Sequence, residues 1–197
     1  MSNQFYSNGK LLITGEYFVL NGATAFAVPL KLGQGMDVEL VDDDKNLIYW
    51  STSVKEQPWF SAVFSKADLS IIETNNSKSS EFIHKLLLFV KEKSSALNVS
   101  QSVRILANVE FPMEWGFGSS STLIANLAKW AKINPYEMLF AITNGSGYDV
   151  ACAMADSPIL YKNYPKPEVA KVDFNPNFLN KIYFIYLGAK QDSASSV

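Results

Sequence analysis

Two residue types are nearly missing from this 197-residue chain, which holds one cysteine, Cys152, and one histidine, His84. A lone cysteine excludes an internal disulfide framework, and with a single histidine beside it the usual zinc constellations are excluded too. Nor is there a basic stripe. The lysines are scattered, the formal net charge is −2 and the pI is near 5.5, so the electrostatic footprint of a nucleic-acid binder is absent. Residues 1–10 are polar, and no apolar run approaches the roughly 20 residues that cross a bilayer. The expectation is a cytoplasmic protein whose partners are neither nucleic acids nor membranes. No internal repeat or low-complexity tract interrupts it.

Hydrophobic material is plentiful, at 48% against 18% charged residues, so the chain can bury a substantial core. Lys10–Thr14 and Glu16–Leu20 are short apolar runs ending at Asn21-Gly22, a dipeptide that signals a hairpin, with Ala23–Leu30 as the returning strand. Gly33–Gly35 predicts a turn before a strand over Met36–Val41, and Asp42–Asp44 predicts a solvated loop before Leu47–Trp50. Residues 51–78 mix strand and loop signals, with a turn at Asn75–Ser77. From Ser79 or Ser80 the apolar spacing becomes helical through Phe82, Ile83, Leu86, Leu87 and Val90. His84 lies inside that helix as a structural residue. Gln101–Val109 alternates as a half-buried strand, Asn134-Pro135 starts another helix, and Asp149 stands at or near the start of a third. Pro158–Lys162 and the continuous run Lys181–Leu187 predict two more strands, the second suited to a sheet interior.

The stretch Phe111–Trp130 carries the chemistry. Pro112 ends the preceding strand, and Gly116 and Gly118 permit close backbone approach. Ser119, Ser120, Ser121 and Thr122 offer helix N-caps ahead of Leu123, Ile124 and Leu127. Strand, glycine loop and helix start form an anion site when a phosphate reaches the open N–H groups. Taken locally, an ordinary glycine turn and capped helix meets the same pattern. Locally, too, Lys10 reads as a solvent-facing strand-end lysine, and Asp149 as a capping carboxylate worth about 1 kcal/mol.

Three stretches together decide between these readings. GKLLITGEY (residues 9–17), PMEWGFGSSS (112–121) and GSGYD (145–149) resemble, in kind, order and separation, the GHMP small-molecule kinases. That superfamily includes galactokinase, homoserine kinase, mevalonate kinase and phosphomevalonate kinase. The middle segment resembles its Pro-x-x-x-Gly-Leu-Gly-Ser-Ser motif with Phe117 in place of leucine. The first segment is most similar to the mevalonate and phosphomevalonate kinase branch. GSGYDVACA resembles a bacterial subgroup with a Gly-Tyr-Asp-Ile-Ala signature, Val150 replacing its isoleucine.

The resemblance implies an α+β fold, a mixed and largely antiparallel sheet covered by helices, like ribosomal protein S5 domain 2. It implies ATP and Mg²⁺, a small-molecule acceptor, and phosphoryl transfer achieved by positioning and charge neutralisation. Gly116, Gly118, Ser119 and Ser121 would cradle the ATP phosphates, Ser120 would lie on Mg²⁺, Asp149 would take the acceptor's proton and Lys10 would hold Asp149 ionised. Glu16, Tyr17, Ser146 and Gly147 would border the acceptor. A second metal-binding glutamate of mevalonate kinases falls on Met138 in an ungapped match. Glu137 is its neighbour, about 100° round a helix, so either the register shifts or fewer protein groups hold the metal. The resemblance also implies that residues 1–190 are the N-terminal ATP-binding domain, and that 191–197 begin a linker or helix into a C-terminal domain the chain lacks. The alternative reading is a non-catalytic nucleotide- or metabolite-binding module on the same fold.

Overall fold

The computed structural model describes residues 3–188. Its framework is one eight-stranded sheet built from β1 (Asn3–Thr14), β2 (Ala25–Val41), β3 (Leu47–Val54), β4 (Gln57–Ser65), β5 (Ile71–Thr74), β6 (Ser102–Val109), β7 (Ile159–Lys162) and β8 (Glu168–Lys171). The order is β5-β4-β3-β6-β2-β7-β8, and β1 runs along the opposite edge of β2. Every pairing is antiparallel except that of β3 with β6. The register sets Val38 and Trp50 beside Ile105, so the buried side chains share one face. On that face they pack against α1 (Ser77–Lys93) and α2 (Ser119–Ala131) through Ile83, Leu86, Leu87, Ile124 and Leu127. Two shorter helices follow, α3 (Pro135–Ile142) and α4 (Tyr148–Ala153). The expected α+β architecture with a largely antiparallel sheet is the one observed.

Several local expectations are corrected. Glu16–Leu20 is no strand: Phe18–Asn21 winds into a 3₁₀ turn, and β1 itself pairs with β2. Gly33–Gly35 is no turn, because β2 continues straight through it. The glycine is needed there for contact. A Cβ on Gly33 would lie 2.3 Å from the Ser7 carbonyl oxygen of the paired strand β1, beside the register shift between Asn8 and Lys10. Helix α1 begins at Ser77 because the Asn76 side chain accepts from the Ser79 N–H at 2.9 Å, ahead of the expected serines. Lys181–Leu187 is also no strand. Leu179–Lys181 forms a 3₁₀ turn, and Ile182–Leu187 runs on unpaired and exposed, its apolar run finding no strand neighbour among the described residues. Edge strand β8 escaped the reading because all four of its residues are exposed and show no alternation.

A buried polar network fixes α2 against the sheet. The Asn126 amide donates to the Gln34 carbonyl at 2.8 Å and accepts from the Ser7 hydroxyl at 2.8 Å. The Thr122 hydroxyl donates to the Gln34 side chain, and Lys129 Nζ donates to Ser7 Oγ at 3.0 Å. Asn126 and Thr122 are fully buried, so each bond is a required partner for a desolvated group. Replacing Asn126 by leucine strands the Ser7 hydroxyl and the Gln34 carbonyl. Chemical denaturation of Asn126→Leu is expected to show a loss of about 2 kcal/mol or more. A loss below about 0.5 kcal/mol, the scatter of ordinary surface changes, would contradict this role.

Candidate active site

The three stretches singled out in the sequence meet around one cavity of ≈ 890 Å³. Lys10 enters from within β1, next to the register shift between Asn8 and Lys10, and is not the strand-end lysine its local sequence suggests. The backbone N–H of Lys10 donates to the Phe117 carbonyl at 2.9 Å, which ties the strand to the glycine loop. The loop leaves β6 through Pro112 and a 3₁₀ turn at Met113–Trp115, then bends at Gly116 (φ 72°) and Gly118 (φ 87°) into α2. Both angles lie in the left-handed region that a side chain disfavours.

The helix start differs from the expected one. Gly118 is the N-cap, with no side-chain capping bond, and the serines lie inside the first turn. Ser119 is half-buried, Ser120 exposed and Ser121 buried. Gly116 and Phe117 line the cavity, whereas Gly118, Ser119, Ser120 and Ser121 continue the loop beyond its wall. The first N–H groups of such a helix have no intrahelical acceptor, so they remain donors for an anion.

Glu16 and Tyr17 reach the cavity through a strained turn. Tyr17 has φ 62° and ψ −46°, and Phe18 N–H donates to the Glu16 carbonyl at 2.7 Å, giving a γ-turn of the rare positive-φ kind. Strain of this sort costs about 1–3 kcal/mol and concentrates at functional sites. On the opposite side, the loop between α3 and α4 supplies Ser146, with buried Gly147 behind it. Fully buried Tyr161 donates its hydroxyl to the Ser146 carbonyl at 2.6 Å. A Cβ on Gly147, whose φ is 93°, would stand 2.6 Å from that hydroxyl. Asp149 follows in the first turn of α4, half-buried and on the cavity wall; the capping position belongs to Gly147.

The cavity's one cation is held by its neighbours. Lys10 Nζ donates to the Tyr148 hydroxyl at 3.0 Å. Burial pulls the Lys10 ammonium down, but Tyr148, Asp149 and Glu16 outweigh burial and hold it above its ordinary value. Burial raises Tyr148 against the opposing pull of Lys10. Tyr148 is therefore an uncharged phenol at neutral pH, and the negative charge facing Lys10 comes from Asp149 and Glu16. Nearby Cys152 is no nucleophile, since burial pushes its thiol up to about 12.

Glu137 does not join the site. It is exposed on α3, where its charge acts on Lys93, while its neighbour Met138 fills the core. Among the described residues no group of three acidic, histidine or cysteine side chains could hold a metal. Of the expected metal residues Ser120 remains, exposed in the first turn of α2; Mg²⁺ accepts few protein donors when phosphate oxygens and water complete its shell. Tyr148 and Tyr161 were missed in the sequence. Tyr148 stands beside Asp149 inside the GSGYD stretch, so its place was available to be read; Tyr161 reads locally as an ordinary strand aromatic.

No protein-family model and no curated protein matches the sequence. Solved structures do share its fold. A Methanococcus jannaschii mevalonate kinase superposes with a TM-score of 0.62 at 14% identity, covering 88% of this chain and 56% of that one. A Streptococcus pneumoniae phosphomevalonate kinase in complex with phosphomevalonate and AMPPNP gives 0.55 at 15% identity, covering 82% and 49%. A Lactococcus lactis galactokinase complexed with galactose gives 0.56 at 14% identity, covering 88% and 48%. The chain thus spans about half the length of the solved kinases it matches. At these identities the likeness is one of fold: that of a domain of GHMP-family kinases.

Two outcomes follow from this geometry. Tyr161→Phe leaves the Ser146 carbonyl buried without its donor and is expected to cost about 1–3 kcal/mol in denaturant unfolding; an unchanged midpoint would contradict it. Because the folded pKa of Lys10 is raised, its stabilisation is complete below the unfolded value and lost as pH rises through the folded one. The stability gap between the parent chain and Lys10→Met is therefore expected to be flat through neutral pH and to shrink above the ordinary lysine value of 10.5. A gap that widens as pH rises through that value would reverse the assigned sign.

Proposed function

We propose that this chain is the ATP-binding part of a GHMP-type small-molecule kinase, which transfers the γ-phosphoryl group of ATP to a hydroxyl or phosphate acceptor, in the manner of mevalonate and phosphomevalonate kinases. One observation carries the reading: Lys10, Asp149 and the glycine loop, far apart in sequence, border one cavity, with Lys10 bonded through its backbone to the loop. In this reading residues 1–190 form the ATP-binding domain, and the segment from 191 leads into a second domain. The protein works in the cytoplasm on a small molecule, with neither nucleic acid nor membrane as partner. No helix among the described residues is long and apolar enough to cross a membrane.

The residues have separable tasks. The N–H groups from Gly116 to Ser121 bind the phosphates and align the γ-phosphorus with the acceptor. Asp149 accepts the proton of the acceptor hydroxyl as its oxygen forms the new P–O bond. The bond from the γ-phosphorus to the bridging oxygen breaks and ADP leaves with that electron pair. Lys10 balances the negative charge of Asp149 and of the transferred group. Ser120 would hold Mg²⁺, which neutralises phosphate charge when bound. Glu16, Tyr17, Ser146 and Gly147 border the acceptor. A second reading, a nucleotide- or metabolite-binding module without turnover, is favoured by the outward position of Glu137, which leaves the metal without a second carboxylate from α3.

Asp149→Asn separates the two. With the full chain, ATP affinity should persist while turnover falls by about 10²-fold or more, the usual weight of a general base. Turnover unchanged in that variant would remove Asp149 from the mechanism. Gly118→Val should abolish ATP binding, because the φ of 87° is strained for valine and the added Cβ would stand 3.1 Å from Lys10 Cγ; unaltered nucleotide affinity would defeat the phosphate-loop assignment.

A further inference from the structure

The charge on the cavity wall bears on which acceptor enters it. Among the described residues that line the cavity, Lys10 is the one cation, and it faces three carboxylates, Glu16, Glu114 and Asp149. Lys10 is already committed to the Tyr148 hydroxyl and to the charges of Asp149 and Glu16. Glu114 is exposed on the 3₁₀ turn of the glycine loop itself. The chain's single arginine, Arg104, lies away from the cavity on the exposed face of β6, 3.7 Å from Glu39. Among the described residues that line the cavity there is thus no guanidinium fork to grip a carboxylate or phosphate two-handedly. The other polar groups on the wall, Thr143, Asn144 and Ser146, are neutral, and much of the remainder is apolar, including Val19, Leu20 and Trp115.

Resting on the phosphoryl-transfer reading above and narrowing its acceptor, we infer an alcohol whose tail is neutral or positively charged and partly apolar, so that the mevalonate-like hydroxy acid and the phosphate ester admitted there are set aside. Like charges brought together in a confined site select strongly against the wrong ligand. An anionic tail would meet Glu16 and Glu114 as well as the phosphates of the bound nucleotide. An ammonium or hydroxyl tail finds acceptors in those same carboxylates, and its methylene chain finds Leu20 and Trp115. Selection thus works through repulsion of anions as much as through attraction.

Four alcohols of equal length separate the possibilities: aminohexanol, hexanediol, hydroxyhexanoate and hydroxyhexyl phosphate. Their binding to the full chain is measured by ligand-observed NMR with and without MgAMPPNP, and ATP consumption is followed in parallel. Aminohexanol and hexanediol should bind about tenfold or more tightly than the two anions, given the usual size of like-charge penalties. The affinity for aminohexanol should fall with added salt. Glu114→Gln, a change on an exposed turn, should narrow the gap, as should Glu16→Gln. Tighter binding of either anion, equal binding of all four, or binding of none overturns the inference. ATP bound but consumed with none of the four counts instead against the phosphoryl-transfer reading, and the binding order still decides the charge preference.

Discussion

A single backbone hydrogen bond, from the Lys10 N–H to the Phe117 carbonyl, joins the strand that delivers the ammonium to the loop that would hold the phosphates. It fixes the distance between two groups that phosphoryl transfer needs side by side. The bond is possible only because the loop turns twice through left-handed glycines, Gly116 and Gly118, and because α2 behind it cannot shift. The buried amides of Gln34 and Asn126 hold α2 in place. The sheet, the polar network, the loop and the lysine therefore form one mechanical chain, and a fault in any link would misplace Lys10 Nζ relative to Asp149.

The acceptor side is built differently. Where the glycine loop is joined to β1 by a backbone bond, the Ser146 loop of the wall is held by the Tyr161 hydroxyl, and Glu16 projects from a strained γ-turn at Tyr17. Strained backbone persists only where its surroundings over-determine it. The strain presents a carboxylate and an aromatic ring to the cavity at once. Together with Glu114 on the loop, this produces a wall whose charge opposes anions, although the site as a whole would bind a polyanionic nucleotide. On the proposed reading the two halves of the site divide accordingly: open N–H groups would attract phosphate on one side, and carboxylates would govern the acceptor on the other.

Much of this was legible in the sequence, and the physical reasons are particular. Strand β6 announced itself because its burial alternates, so a two-residue periodicity survived in Val103–Val109, whereas helix α2, buried all round from Ser121 to Ala128, was legible from its apolar Leu123, Ile124 and Leu127 and from the glycine loop before it. The helix cap at Asn134 is a local bond to the Tyr136 N–H and was equally readable. Long-range facts were not. Gly33 looks like a turn residue, yet a side chain there would run into the Ser7 carbonyl of the neighbouring strand, and only the pairing of β1 with β2 reveals that. Lys181–Leu187 has the composition of an interior strand but pairs with no strand among the described residues, Phe184 instead resting on Trp115 and Phe117, and no local pattern states whether a strand partner exists. At the site, motif spacing grouped Lys10 with Asp149, and both line one cavity. It also grouped Glu137 with an expected metal, whereas Glu137 is exposed on α3, because a helix position one residue off changes which way a side chain faces. Lys10's actual hydrogen-bond partner, Tyr148, was hidden in plain view beside Asp149.

The central claim is that the glycine loop and the first turn of α2 bind nucleotide phosphates beside Lys10. The most direct measurement is an amide and lysine-side-chain NMR titration of the full chain with MgAMPPNP. The account predicts saturable shifts concentrated at the N–H groups of Gly116 to Ser121 and at the Lys10 ammonium, with the outer sheet face around Leu106 and Trp59 unmoved. Shifts confined to another surface, or none at nucleotide concentrations where small-molecule kinases bind ATP, would contradict it.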